Sequence, residues 1–262
     1  MRKLKFFAPA NPPHPLGDNL ARNWMQGGFY ASHGEPLADV NLHYGILHGG
    51  ADLYRRAKDE GKDYVHVDHA FFGRTQDLAS NDGYFRFALN GQANVIRRTV
   101  ELDAPRLEVL QGRGLLRLEP KRAVKRSRLV IYQPPSDYMV QHYGLSPEFD
   151  GEWRAALRRL YPGMMVVTTQ KSPKAEDFWE NVSVVASFNS GLGFEALRRG
   201  CEVVMTAPTT LWPWLTGDLT EGKWAAKRYE TFCLIAGRMW NFKEMKKGAA
   251  LNHMALNGEI PL

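Results

Sequence analysis

A turn of small residues opens a helical pattern between Ala186 and Gly200, and these residue types suit the binding of an anion. Ser190, Gly191 and Gly193 leave the turn uncrowded, so that backbone N–H groups can approach a ligand. The start of the helix adds a partial positive charge, which favours phosphate. An ordinary strand-to-helix turn with a serine cap fits the same spacing.

The segment Val65–His69 has the pattern of a buried strand that ends in two titratable side chains. On a strand, His66 and Asp68 share one face and His69 lies on the other. At the carboxyl end of a parallel strand these groups would border a ligand crevice, where a general base is needed. Asp68 is the first candidate, His69 is the second, and Asp18, in the loop after the first predicted strand, is a rival. The alternative is that Asp68 and His69 cap the following loop.

Two arginines accompany the aromatic-rich stretch Phe71–Phe87, namely Arg74 and Arg86. Arginine beside aromatic rings can bind a base by stacking and a phosphate through its planar fork. The same aromatic residues could equally belong to the core.

A metal site is a further possibility, since several imidazoles and one carboxylate fall in the same part of the sequence. The candidates are His43, His48, His66, Asp68 and His69. Their spacing matches no complete metal-binding motif, so we expect no metal.

The composition is that of a globular protein: 262 residues, 44% of them apolar and 24% charged, with two cysteines. No apolar run reaches the roughly 18 residues of a membrane span. The cysteines are too few for a disulfide framework or a cysteine zinc site, and the start of the chain does not resemble a signal peptide. We therefore expect a cytoplasmic location.

Positive charge is concentrated in residues 86–128, where eleven basic residues stand against four acidic ones. This segment has a net charge of +7, whereas the rest of the chain has −1. Such a field attracts phosphates of nucleic acid or of a nucleotide, although a solvated linker has the same composition. The candidate phosphate or acceptor contacts in its second half are Lys121, Arg122, Lys125 and Arg126.

Strand-like and helix-like runs alternate in two series, which predicts an α/β fold with parallel sheets. A basic stretch that contains Pro105 and Pro120 joins the series. We expect two Rossmann-like lobes with a cleft between them, residues 1–120 on the acceptor side and 121–220 on the nucleotide-sugar side. Residues 221–262 would form a helical tail, with a break around Gly237.

The block Asn189–Gly200, followed by Cys201–Val204, resembles a signature in the C-terminal half of GT-B glycosyltransferases of the capsular-polysaccharide and Kdo-transferase type. It also resembles compact glycosyltransferase-like proteins of bacteriophages. Three further stretches fit the phage-type pattern: Tyr64–Arg74, Gly83–Asn90 and Thr168–Pro173. The arginine that usually precedes the last of these loops is absent, and Glu202 replaces a usual proline.

The resemblance implies a nucleotide-sugar donor, UDP-linked by expectation, with no metal or other cofactor. Phosphate contacts would come from Ser190, Gly191 and Gly193, Asn189 would also bind the donor, and Lys171 would neutralise the leaving diphosphate. Glu195, one helical turn further in, would accept a hydrogen bond from a sugar hydroxyl.

These observations predict a glycosyltransferase that acts on a hydroxyl acceptor. The basic segment and the phage resemblance favour a hydroxymethylated pyrimidine in DNA, which an enzyme would have to flip out of a duplex. The alternatives are a cell-surface or capsular glycan acceptor, a non-catalytic nucleic-acid-binding protein on the same fold, and a sugar-nucleotide epimerase. The sequence sets neither the sugar nor the oligomeric state.

Overall fold

The chain divides into two compact units, each built around its own sheet. One unit comprises Met1–Leu115 with Phe232–Leu262, and the other comprises Leu116–Thr231. The computed structural model describes residues 4–7, 30–32, 34–45, 49–73, 83–90, 102–125, 128–169, 176–188, 190–207 and 221–256.

Strands and helices alternate along most of the described chain. The strands are β1 Leu4–Phe7, β2 Tyr30–Ala31, β3 Val40–Tyr44, β4 Asp63–His69, β5 Tyr84–Leu89, β6 Leu129–Gln133, β7 Met165–Thr168, β8 Val182–Ser187, β9 Glu202–Met205 and β10 Met239–Asn241. The helices are α1 Gly50–Asp59, α2 Ala104–Gly112, α3 Asp137–Tyr143, α4 Phe149–Leu160, α5 Glu176–Glu180, α6 Gly191–Arg198, α7 Glu221–Ala236, α8 Phe242–Lys246 and α9 Ala249–Leu256.

The sheet of the first unit has six strands in the order β10-β5-β4-β3-β1-β2. The pairs among β1, β2, β3 and β4 are parallel, whereas β5 and β10 pair antiparallel. Phe7 and Tyr64 pack with Leu53 of α1, and Phe6 and Phe85 belong to a second buried cluster that includes residues of α8 and α9. Strands β3, β4 and β5 are buried over most of their length, and the polar side chains of Asn41, His43 and His66 are buried with them.

The second unit contains four parallel strands in the order β7-β6-β8-β9. Val130 and Tyr132 of β6 and Val184 of β8 are fully buried, and they form a core cluster with Leu157 of α4. Helices α3 and α4 lie between β6 and β7 in the chain, and α6 lies between β8 and β9. The predicted α/β class with parallel sheets is therefore confirmed.

A close approach of α6 to β9 depends on glycine. A Cβ on Gly193 would lie 2.9 Å from the Met205 sulfur, so the absence of a side chain lets the helix lie directly against the strand. Gly200 ends the helix with a φ of +77°, and a Cβ there would overlap the Pro120 carbonyl oxygen.

The C-terminal region contains a short strand, β10, just after the predicted helix break around Gly237. Helix α7 ends at Ala236, and β10 then pairs antiparallel with β5. The Arg106 guanidinium holds β10 in place, because it donates hydrogen bonds to the Met239 carbonyl at 2.8 and 3.2 Å and to Glu244 at 2.5 and 2.9 Å. Three residues are too few to produce an alternating pattern, which is why the sequence did not reveal β10, whereas the residues after it are helical again in α8 and α9.

Both cysteines lie inside the protein. Cys201 and Cys233 are fully buried, and neither forms a disulfide bond. Burial raises the pKa of Cys201 to about 11, so this thiol stays protonated at neutral pH.

We predict opposite effects of alanine at two glycines of the second unit. Gly200→Ala should lower the free energy of unfolding by at least about 2 kcal/mol, because of its left-handed backbone and the overlap with Pro120. Gly151→Ala, in α4 with open space around it, should raise it by about 0.5–1 kcal/mol. Denaturant unfolding of each variant measures both effects. A Gly200→Ala variant as stable as the parent would contradict the predicted overlap.

Candidate functional site

The order of the second sheet creates a switch point between β6 and β8. From β6 the chain crosses to β7 on one side, and it then returns to form β8 on the other side of β6. At such a point the connections diverge and leave a crevice beyond the carboxyl ends of the two strands, which is where open α/β sheets bind ligands.

A cavity of about 150 Å³ lies at these carboxyl ends. Two prolines stop β6 and form one wall, and a buried phenylalanine after β8 contributes to another. The residues that line this cavity, here called the β6–β8 crevice, are Gln133, Pro134, Pro135, Ser136, Met139, Phe188 and Ser190.

Two serines cap helices at this crevice. Ser190 caps α6 by accepting a hydrogen bond from the Leu192 N–H at 3.1 Å, and Ser136 caps α3 by accepting one from the Met139 N–H at 3.4 Å. The dipole of α6, which has eight residues, therefore presents its positive end beside the cavity.

Hydrogen bonds also tie the two strand ends together. The Ser187 hydroxyl donates to Gln133 Oε1 at 3.2 Å and accepts from the Ser190 N–H at 3.3 Å. Sequence reasoning missed Gln133 and Ser136. The signal for Ser136 was present, since a serine after two prolines at a strand end is a typical helix cap.

The predicted phosphate-binding glycines differ in whether their backbone N–H groups already donate a hydrogen bond. The Gly193 N–H already donates to the Ser190 carbonyl at 3.2 Å, and Gly193 packs against β9 as described above. Among the described residues, none accepts a hydrogen bond from the Gly191 N–H. Of the predicted backbone donors, Gly191 is thus the best placed for a ligand.

Glu195 contacts two arginines at the C-terminal end of its own helix. Its carboxylate accepts from Arg198 Nη2 at 2.5 Å, from Arg198 Nε at 2.6 Å and from Arg199 Nε at 2.6 Å. Burial opposes ionisation, but these charge-assisted hydrogen bonds outweigh it and hold the pKa of Glu195 below its ordinary value. Most of its acceptor positions are therefore occupied.

In the first unit, Asp68 and Arg86 form an ion pair between neighbouring strands. Arg86 Nη2 donates to Asp68 Oδ2 at 2.9 Å, and the backbone N–H of His69 donates to Oδ1 at 2.7 Å. The Arg86 guanidinium also lies 4.3 Å from the centre of the Phe71 ring. Asp68 is about 30% exposed, so the carboxylate is held in place while part of it still reaches solvent.

The ion pair sets the charge state of Asp68. Burial disfavours ionisation, but the positive charge of Arg86 and the hydrogen bonds from Arg86 and the His69 N–H outweigh it, so the pKa of Asp68 lies below its ordinary value. His69 packs with Tyr44 and Phe85, its ring 5.8 and 6.0 Å from theirs. The interaction of Asp68 with its neighbour's backbone also fits the loop-capping alternative.

His66 is buried, and it lies two residues before Asp68 on β4. No described residue forms a hydrogen bond with either ring nitrogen, and burial lowers the pKa of His66 to about 4. The imidazole is therefore neutral at pH 7.

The predicted phosphate or acceptor contacts that the structure describes belong to different units. Arg86 belongs to the first unit, whereas Lys121, Arg122 and Lys125 lie near the amino ends of the strands of the second sheet, the opposite edge from the β6–β8 crevice. Several predicted site residues lie outside the described residues: Asp18, Arg74, Arg126, Lys171 and Asn189.

Comparisons with known proteins give the following likenesses. No protein-family model matches the chain, and no curated protein matches its sequence. Among solved structures, the β-Kdo 2,4-transferase of Thermosulfurimonas dismutans KpsC aligns with a TM-score of 0.49 and 11% identity, covering 94% of this chain and 98% of that one. The β-Kdo 2,7-transferase of the same protein aligns with a TM-score of 0.46 and 11% identity, covering 95% and 99%.

The described part of the chain contains neither a metal-binding cluster nor a membrane-spanning helix. No group of three or more histidine, cysteine, aspartate or glutamate side chains there is arranged to hold a metal ion. None of the helices in that part has both the length and the apolar character needed to cross a membrane.

We predict that His66 makes the first unit less stable in acid. Its folded pKa, about 4, lies below the ordinary value of 6.5, so the unfolded chain binds the proton first. The contribution of the neutral imidazole to the free energy of unfolding is fully present above pH 6.5, and it falls by up to about 3 kcal/mol as the pH drops towards 4. His66→Phe and His66→Leu should both flatten unfolding free energy against pH in this window. An unchanged slope in both variants would contradict a buried neutral imidazole.

Proposed function

We propose that this protein is a glycosyltransferase that moves a sugar from a nucleotide sugar to a hydroxyl acceptor. The observation that carries the proposal is the β6–β8 crevice: a switch point of a parallel sheet, a cavity, and the start of a helix with an available N–H group at Gly191. This is an arrangement that binds phosphate. The resemblance of the block Asn189–Gly200 supports a nucleotide sugar as the carrier of that phosphate.

On the donor side, the crevice would take the diphosphate. Its volume of about 150 Å³ is below the roughly 300–1,000 Å³ of a typical small-molecule pocket, so it suits the phosphate portion of the donor alone. The Gly191 N–H and the α6 dipole would stabilise the negative charge that develops on the leaving group. Lys171 and Asn189 would contribute further contacts with the donor. Glu195 would accept a hydrogen bond from a sugar hydroxyl at its remaining acceptor position.

On the acceptor side, Asp68 would act as the base. It would take the proton from the acceptor hydroxyl while that oxygen bonds to the anomeric carbon and the bond from that carbon to the phosphate oxygen breaks. The nucleotide diphosphate leaves with the bonding electron pair. Arg86 would orient the carboxylate and keep it ionised, although a low pKa makes it a weaker base. His69 is the second candidate and Asp18 the third.

For the acceptor we propose a hydroxymethylated pyrimidine in DNA. The net charge of +7 on residues 86–128 and the resemblance to phage proteins support this choice. Such an acceptor would place the protein in the cytoplasm. Mass analysis of hydroxymethylated DNA after incubation with a panel of nucleotide sugars tests the DNA acceptor. Transfer to a glycan oligosaccharide instead of DNA would show that the acceptor is a glycan.

Two further outcomes distinguish the remaining alternatives. A changed sugar recovered from donor without acceptor would identify an epimerase. Salt-sensitive binding to duplex DNA, without turnover of any donor, would identify a non-catalytic binding protein.

We predict that a carboxylate at the start of α6 blocks donor binding without unfolding the protein. Aspartate caps helices as well as serine does, so Ser190→Asp keeps the cap but repels a diphosphate. The dissociation constant for the donor, measured by thermal-shift titration, should rise at least about ten-fold. As a control, Asn241→Asp places the same charge at the cap of α8 and should leave the dissociation constant for the donor unchanged. Equal affinity in Ser190→Asp would remove the crevice from the donor site.

We predict that Asp68→Asn separates transfer from donor binding. The amide can still accept a hydrogen bond from Arg86 but cannot take a proton, so transfer should fall by about 10²- to 10⁴-fold with an unchanged donor dissociation constant. Asp52→Asn, at an exposed position on α1, serves as the control. Normal transfer by Asp68→Asn would exclude it as the base.

A further inference from the structure

A second and larger cavity lies at the amino ends of β6 and β8, on the opposite edge of the sheet from the β6–β8 crevice. Its volume is about 640 Å³. The residues that line it, here called the amino-edge cavity, are Arg122, Lys125, Arg128, Glu180 and Asn181.

Backbone hydrogen bonds fix the walls of this cavity. The Leu129 N–H donates to the Asn181 carbonyl at 2.7 Å, which joins the first residue of β6 to the residue before β8. The Arg122 N–H donates to the Gly200 carbonyl at 2.7 Å, and the Arg128 N–H donates to the Lys125 carbonyl at 3.0 Å. These hydrogen bonds hold the backbone of Arg122 and of Arg128 in place.

The charges in the cavity are only partly compensated. Arg122 donates to Glu119 at 3.0 Å and to the Trp179 carbonyl, which orients its guanidinium. Neither Lys125 nor Arg128 forms an ion pair with any residue that the structure describes. Three cations and the single carboxylate of Glu180 thus give the lining a net charge of +2.

This cavity is separate from the donor site proposed above. Leu129 and Gln133 are the two ends of β6, and at about 3.3 Å per residue they lie about 13 Å apart. A ligand held by Arg128 is consequently too distant to share the diphosphate that the crevice would hold.

We propose that the amino-edge cavity is a second anion site, which binds phosphate groups independently of the donor crevice. A guanidinium fork beside an ammonium group matches the oxygens of a phosphate in both charge and geometry. The same chemistry is offered by a free phosphate compound and by the backbone of a nucleic acid. The cavity volume of about 640 Å³ is in the range of small-molecule pockets, which suits a free phosphate compound. The cations of the lining can also contact backbone phosphates, which suits a nucleic acid.

The test uses the full-length protein and two probes, inorganic pyrophosphate and a DNA duplex of about 20 base pairs. Calorimetric titrations between about 50 and 200 mM salt compare the parent with Lys125→Gln/Arg128→Gln. The control is Lys58→Gln/Lys243→Gln, which removes two exposed lysines from α1 and α8 of the first unit.

If the ligand is a free phosphate compound, the double variant should bind pyrophosphate at least about ten-fold more weakly than the parent and the control do. If it is nucleic acid, the slope of log affinity against log salt for the duplex should fall by about 2. Binding of both probes with parental affinity and slope in the double variant, or binding of neither probe by the parent, would overturn the proposal. The Ser190→Asp titration reports on the donor crevice separately, so either proposal can fail alone.

Discussion

Parallel pairing of β6 with strands on both sides is the constraint from which the second unit follows. Parallel neighbours cannot be joined by a tight turn, so each connection must cross the sheet and return to the same edge. The chain satisfies this requirement with helices before β7 and before β9, and it changes direction between β6 and β8. The crevice, the two serine caps and the available amide of Gly191 all lie at the edge where that change occurs.

Arginine has a structural task at several positions of the basic segment. Arg106 is buried and connects the carbonyl of Met239 with the carboxylate of Glu244, and Arg86 is paired with Asp68. A net charge counted along the sequence therefore overstates the charge available to a ligand. Of the described cations of this segment, Arg122, Lys125 and Arg128 line the amino-edge cavity.

The sequence was sufficient for the type and approximate position of most strands, because β-branched and aromatic residues are frequent in them and turn residues separate them. It was also sufficient for the turn before α6, where small residues follow a strand. It could not reveal the order of strands, since β6 and β8 are about fifty residues apart in the chain. For the same reason Gln133 was missed, whereas Ser136 carried a local signal as a helix cap after two prolines. The contacts of Glu195 with Arg198 and Arg199 depend on side-chain rotamers, which spacing alone leaves open.

The buried thiols give the chain a practical property. A thiol reacts as its thiolate, and a fully buried Cys201 with a raised pKa supplies almost none of it, while Cys233 is equally enclosed. A single cysteine introduced on the surface would therefore be the preferred target of a maleimide dye or spin label. Fluorescent and paramagnetic reporters can be attached at chosen positions of either unit without first replacing a native residue.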